Sequence, residues 1–122
     1  MFMYNEKVVG TKVGVLERRI ETIRKEIASV GELRPGRLSE QYNVCGKAGC
    51  RCKAESPQRH GPYYQLGWTR KGKSTTRFVR RSELATVRKQ LKNYARLQSL
   101  IQEWVDLSLE LCDLKLREGK SR

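Results

Sequence analysis

Val13, Leu16, Ile20, Ile23, Ile27 and Val30 recur at alternating steps of three and four residues, the spacing that lines one side of an α-helix. Charged residues fill the gaps between them, from Glu17, Arg18 and Arg19 to Arg24, Lys25 and Glu26, and opposite signs three or four apart can pair on the wet side. Gly31 offers a left-handed stop, followed by Pro35 and Gly36, so a helix is predicted over residues 11–31.

A longer apolar row runs through Leu84, Val87, Leu91, Tyr94, Leu97, Ile101, Trp104, Leu107, Leu111 and Leu114. Ser82 is placed as its N-cap with Glu83 in the first turn, and no Gly or Pro interrupts it before Gly119. This predicts a single helix over residues 82–117, about 54 Å long, while the first apolar row extends over about 27 Å. Roughly half of the long row is therefore left for the central segment or a second copy of the chain to cover. Leu100, Val105, Leu109 and Leu116 broaden the apolar face of the C-terminal half, which marks this helix as the candidate homodimer contact.

Between the helices the period changes from 3.6 to 2. Tyr64, Leu66 and Trp68 alternate with Tyr63, Gln65 and Thr69, and Phe78 lies opposite in parity to Arg77 and Val79. Joined by Arg70-Lys71-Gly72-Lys73, the two runs read as a β-hairpin with one face on the helices and the other displaying Tyr, Thr and Arg. The expected architecture is α+β: one domain over residues 1–122, in which a long helical hairpin or bundle carries an inserted Cys/His-stapled β-hairpin module at 34–81.

Charge singles out the same insert. The 122 residues hold 26 Lys and Arg against 13 Asp and Glu, a formal charge of +13. Residues 34–81 carry Arg34, Arg37, Lys47, Arg51, Lys53, Arg59, Arg70, Lys71, Lys73, Arg77, Arg80 and Arg81 against only Glu40 and Glu55. The rest of the chain is nearly balanced, fourteen cations to eleven anions. Clustered cations of this kind neutralise phosphates and release condensed counterions, so these twelve are the candidate nucleic-acid contacts. The hairpin tip is the expected probe, since a two-stranded ribbon fits the major groove, and DNA is expected ahead of RNA. Tyr63, Tyr64 and Trp68 offer a different mode, stacking on unpaired bases, and the choice between duplex and single strand stays open. No run approaches the roughly 20 apolar residues of a membrane span. The start, Met1-Phe-Met-Tyr-Asn-Glu, lacks a secretory n-region and apolar stretch, so a cytoplasmic protein is expected.

Candidate chemistry is concentrated in Cys45-Gly-Lys-Ala-Gly-Cys-Arg-Cys52, with the only histidine, His60, eight residues on. Cys45, Cys50, Cys52 and His60 make a Cys3His set suited to tetrahedral zinc, and Lys47, Arg51 and Lys53 favour the thiolate form. A disulfide conflicts with the expected compartment, and the Cys-x-x-Cys spacing of a redox pair is absent. An iron-sulfur cluster would draw on Cys112, which falls in the long helix, and unliganded thiols are the remaining alternative. No enzyme is expected. Paired carboxylates for magnesium and a Gly-x4-Gly-Lys-Ser/Thr loop are both missing, and four filled zinc positions leave none open. Arg59, His60 and Arg77 with Tyr63 or Tyr64 only sketch a tyrosine-nucleophile site in a chain too short for such a domain. The alternative of a different class is a helical oligomeric assembly or adaptor protein whose central module docks a protein partner.

The run Leu33-Arg-Pro-Gly-Arg-Leu-Ser-Glu-Gln-Tyr-Asn-Val-Cys-Gly-Lys-Ala-Gly-Cys-Arg-Cys-Lys53, followed by His60-Gly-Pro-Tyr-Tyr64 and Gly72-Lys73, resembles a family of small uncharacterised bacterial proteins. Its members are encountered beside transposase genes or on mobile elements, and the resemblance extends over residues 33–117. It implies a Cys and His centre at Cys45, Cys50, Cys52 and His60, a helical C-terminal segment, and a setting for the expected function: a DNA-binding accessory or regulator linked to a mobile element.

Overall fold

The structure, a computed structural model, describes residues 6–43 and 60–120. Along the chain come α1 (Glu6–Ser29), β1 (Arg37–Asn43), β2 (His60–Arg70), β3 (Lys73–Val79), a 3-10 turn (Arg81–Glu83) and α2 (Leu84–Lys120). They divide into two compact units, a helical one from Met1–Gly31 and Ala95–Arg122 and a sheet unit from Glu32–Tyr94. The α+β class and the two helices agree with the sequence pattern.

In the helical unit, α1 begins well before residue 11 and carries Gly10 and Gly14 within it. Each glycine costs a helix roughly 1 kcal/mol relative to alanine, and the regular apolar row that follows offsets that cost. Leu16 and Ile23, seven residues apart on α1, are buried together with Leu100 and Leu114, fourteen apart on α2. Ion pairs flank this seam: Lys12 to Glu110 at 3.2 Å, Arg19 to Glu103 at 2.8 Å, and Glu26 to Arg96 at 3.9 Å. Each step of seven along α1 meets a step of seven backwards along α2, so the helices run antiparallel. Glu17 and Lys115 pair on the opposite flank at 3.8 Å. Exposed pairs like these contribute at most about 1 kcal/mol each. Their stronger effect is on register, because the sign reverses at Glu26 and Arg96. Sliding the helices by one heptad would set Arg19 against Arg96, or Glu26 against Glu103.

Among the described residues the sheet unit holds three antiparallel strands in the order β1-β2-β3, one more than the predicted hairpin. β1 was hidden because Arg-Leu-Ser-Glu-Gln-Tyr-Asn contains a single strong apolar residue, Leu38, which faces Leu66 across the ladder. An edge strand of this kind is held mainly by its backbone pairing. Leu66 is completely buried, and Val79, Leu84 and Val87 close around it with Leu38, Tyr64, Trp68 and Leu91 packed against them. The first turns of α2 thus cover the inner face of the sheet. Arg34 lies with its guanidinium 4.8 Å from the Trp68 ring centre. The Arg34 backbone N–H donates to the Gln90 carbonyl at 3.2 Å, and the Asn93 side-chain amide donates to the Glu32 carbonyl at 2.7 Å, tying the entry segment to α2. At Gly36 the backbone has φ +135°, and a Cβ there would sit 2.8 Å from the Gly67 carbonyl oxygen, so only glycine allows β1 to start so close to β2.

The β2–β3 turn has positive φ at both central residues, 52° at Lys71 and 75° at Gly72, as in the tight hairpin turn that matches strand twist. Beyond β3 the predicted N-cap, Ser82, lies inside the 3-10 turn, and Arg80 occupies the cap position instead. The reason is Glu83, whose carboxylate reaches back to accept the Arg80 backbone N–H at 3.0 Å and the Arg77 guanidinium at 2.9 Å. These partners, the Arg80 N–H first and the Arg77 charge after it, hold the Glu83 carboxyl below the usual glutamate range. A carboxyl lowered in the folded state stabilises the fold above its unfolded pKa and stops doing so as pH falls through the native one. Glu83→Gln should therefore melt below wild type at neutral pH, and the gap should close as the pH falls far enough into the acid range to protonate the native carboxylate. Thermal melts of both proteins across that range check this; a gap that persists in acid would show that ionisation of Glu83 is not the cause.

Candidate nucleic-acid interface

The two units differ in charge more than in size. The sheet unit carries fifteen Lys and Arg against four Glu, whereas the helical unit carries eleven against nine acids. Net positive charge therefore resides almost wholly in the stretch Glu32–Tyr94.

Several predicted contacts gather at one end of the sheet. Arg70 and Lys73 are register partners flanking the turn, and Lys71 sits within it. Arg37 opens β1 opposite Gly67, three residues from Arg70 on the neighbouring strand. These four are exposed, as are Arg80 and Arg81 beyond β3, and among the described residues none of the six forms an ion pair. The other two described candidates are engaged by the fold. Arg34 is half-buried over Trp68, and Arg77 is paired with Glu83. Lys47, Arg51, Lys53 and Arg59 lie outside the described residues, as do Cys45, Cys50 and Cys52. His60 is the first residue of β2 and the register partner of Asn43. Among the described residues no group of three or more His, Cys, Asp or Glu is placed to hold a metal.

Sequence reasoning missed Arg88, Lys89 and Lys92, which are exposed on α2 while Leu84, Val87 and Leu91 turn to the sheet. The helical period alone marks them as solvent-facing; what it lacks is the fact that this stretch of α2 belongs to the basic unit.

The three aromatic residues considered for stacking are divided by strand parity. Tyr64 and Trp68 pack against the inner core, whereas Tyr63 faces outward and meets Phe78, with ring centres 6.4 Å apart and planes at 73°. Phe78 is 67% exposed, the counterpart of burying Val79 beside it. On the same outer face the Gln41 amide donates to Gln65 Oε1 at 3.1 Å, Ser39 Oγ donates to the Gln65 carbonyl at 3.2 Å, and the Thr69 and Ser74 hydroxyls are hydrogen-bonded at 2.9 Å. Tyr42 donates its hydroxyl to Glu40 at 2.8 Å, and the carboxylate raises the phenol pKa, the reverse of what activates a nucleophile. Among the described residues no helix is long and apolar enough to cross a membrane.

No curated protein and no solved structure matches the chain. Residues 15–89, which make up more than half of it and include all three strands, match the family described as "Domain of unknown function (DUF6788)", and the chain belongs to that family.

Proposed function

We propose that this chain is a nucleic-acid-binding protein that grips DNA through its sheet unit. The observation that carries the reading is the group of exposed cations Arg70, Lys71 and Lys73 at the hairpin tip, with no carboxylate paired to them among the described residues. Each cation brought to a phosphate displaces a condensed counterion, which gives affinity and a steep dependence on salt. The tip is narrow enough for the major groove, and Arg37 at the start of β1 extends the positive edge. The setting implied by the bacterial resemblance, a DNA-binding accessory or regulator on a mobile element, is compatible with this chemistry. The test is to replace Arg70, Lys71 and Lys73 by Glu and titrate a labelled duplex by fluorescence anisotropy. Affinity should fall at least a hundredfold, and the slope of log K against log salt should flatten by about three, one for each lost phosphate contact. Unchanged titrations would refute the tip as the contact surface.

The same reading assigns one structural zinc ion to Cys45, Cys50, Cys52 and His60. Because Asn43 and His60 are paired in the ladder, the segment that carries the three cysteines leaves and re-enters the sheet at a single point. A metal there would tether Lys47, Arg51, Lys53 and Arg59 to the basic unit. Metal analysis should give one zinc per chain, lost in Cys45→Ser and in His60→Ala; an equivalent retained by both variants would overturn the assignment.

A second reading, helical assembly, is favoured by one feature of the helical unit. Ile101, Val105, Leu109 and Leu116 follow one another along α2 and are 42%, 55%, 64% and 67% exposed. Leu100, expected in this group, is buried in the seam with α1 instead. A second copy of the chain covers the row in a homodimer. Sedimentation velocity should show a dimer that Val105→Glu with Leu109→Glu converts to a monomer; a wild-type monomer at all concentrations would exclude it.

A further inference from the structure

We infer that Tyr63 and Phe78 form a stacking platform for an unpaired nucleobase of a single strand, with Arg81 placed to meet the neighbouring phosphate. This rests on the nucleic-acid reading above and names a ligand form and a site that the charge count alone does not give.

The two rings border a cleft of about 300 Å³ lined by Pro62, Tyr63, Tyr64, Phe78, Val79 and Arg81. That is the small end of the range for ligand pockets, fitting a single flat heterocycle better than a large ligand. An aromatic ring two-thirds exposed on a strand gives up the gain of burial, and the edge-to-face contact with Tyr63 leaves ring surface open to a flat partner. Next to Phe78 across the ladder is Gln65, whose Oε1 is already taken by Gln41, leaving the Gln65 NH2 and the Gln41 oxygen for the edge of a base.

Charge decides which partner suits these rings. Arg81 at the cleft is exposed and forms no ion pair among the described residues. Glu40 is hydrogen-bonded to Tyr42, and Glu83 is neutralised by Arg77 and the Arg80 N–H. A polyanion with flat apolar groups meets both halves of this surface, whereas an apolar peptide leaves the cations unmatched. Within a duplex each base face is covered by its neighbours, so only an unpaired nucleotide can offer a face to Tyr63 or Phe78.

The experiment uses the full chain in low salt with three labelled probes: an oligothymidylate of about twelve nucleotides, the matching oligouridylate, and a blunt-ended two-stranded duplex with no unpaired base. Phe78→Ala and Tyr63→Ala should each weaken binding of the single strands about tenfold, with duplex affinity changing less than twofold. Phe78→Ile, which keeps a large apolar strand former but removes the ring, should lose as much, while Phe78→Tyr and Tyr63→Phe should bind as wild type. Circular dichroism of each variant confirms that the sheet is intact. The relative strength on thymidylate and uridylate identifies the strand as DNA or RNA, and stacking on either supports the platform. Single-strand affinity unchanged in the ring-less variants, or an equal loss on the duplex, would overturn the platform while leaving the tip contacts standing. A wild-type chain that binds none of the probes would overturn the nucleic-acid reading itself, and the platform with it.

Discussion

Among the described residues of the sheet, Leu66 is the only side chain with no exposed surface, and its burial against Val79, Leu84 and Val87 fixes how the sheet unit is presented. A strand has a period of two, so setting one residue inward sets every other residue of the ladder. With Leu66 inward, Tyr64 and Trp68 follow it and Tyr63, Gln65 and Thr69 turn away. Through the register, Phe78 is sent outward with Gln65, and Ser39 with it. The outer face of polar groups and two aromatic rings is thus the reverse side of the core.

The two units use similar residues for different ends. Along the helical seam, Lys12, Arg19 and Arg96 are matched by Glu110, Glu103 and Glu26, so charge there specifies alignment. In the sheet unit the carboxylates are few, and two of them are taken, Glu83 by the cap and Arg77, Glu40 by Tyr42. Among the described residues Arg37, Arg70, Lys71, Lys73, Arg80 and Arg81 form no ion pair. Uncompensated like charges destabilise a compact state through mutual repulsion, and a polyanion of the kind proposed above would relieve it.

The helices were legible because their apolar rows run for many turns, where period is an unambiguous signal. β2 and β3 were legible for the same reason at period two, and the outward parity of Phe78 follows once Val79 is placed inside. β1 was not, because an edge strand with Glu40 and Gln41 buries too little to leave a pattern. Ser82 looked like a cap from its type alone. The decisive partner was Glu83, whose reach back to Arg80 depends on Arg77 standing beside it on β3. Of the candidate contacts, the position in sequence could not separate Arg34, spent on Trp68, from Arg70 at the tip. That distinction depends on which side of the sheet a guanidinium meets.

Lys71 shows what the hairpin gives up. Left-handed backbone costs a residue with a Cβ roughly 1–2 kcal/mol, and Asn or Gly at this place would relieve much of it. The turn is therefore less favourable to folding than its own geometry permits, and keeps an ammonium at its apex. Drift toward an easier bend would make a sturdier ribbon with a blunter electrostatic point, so foldability and reach are in direct opposition at this single residue.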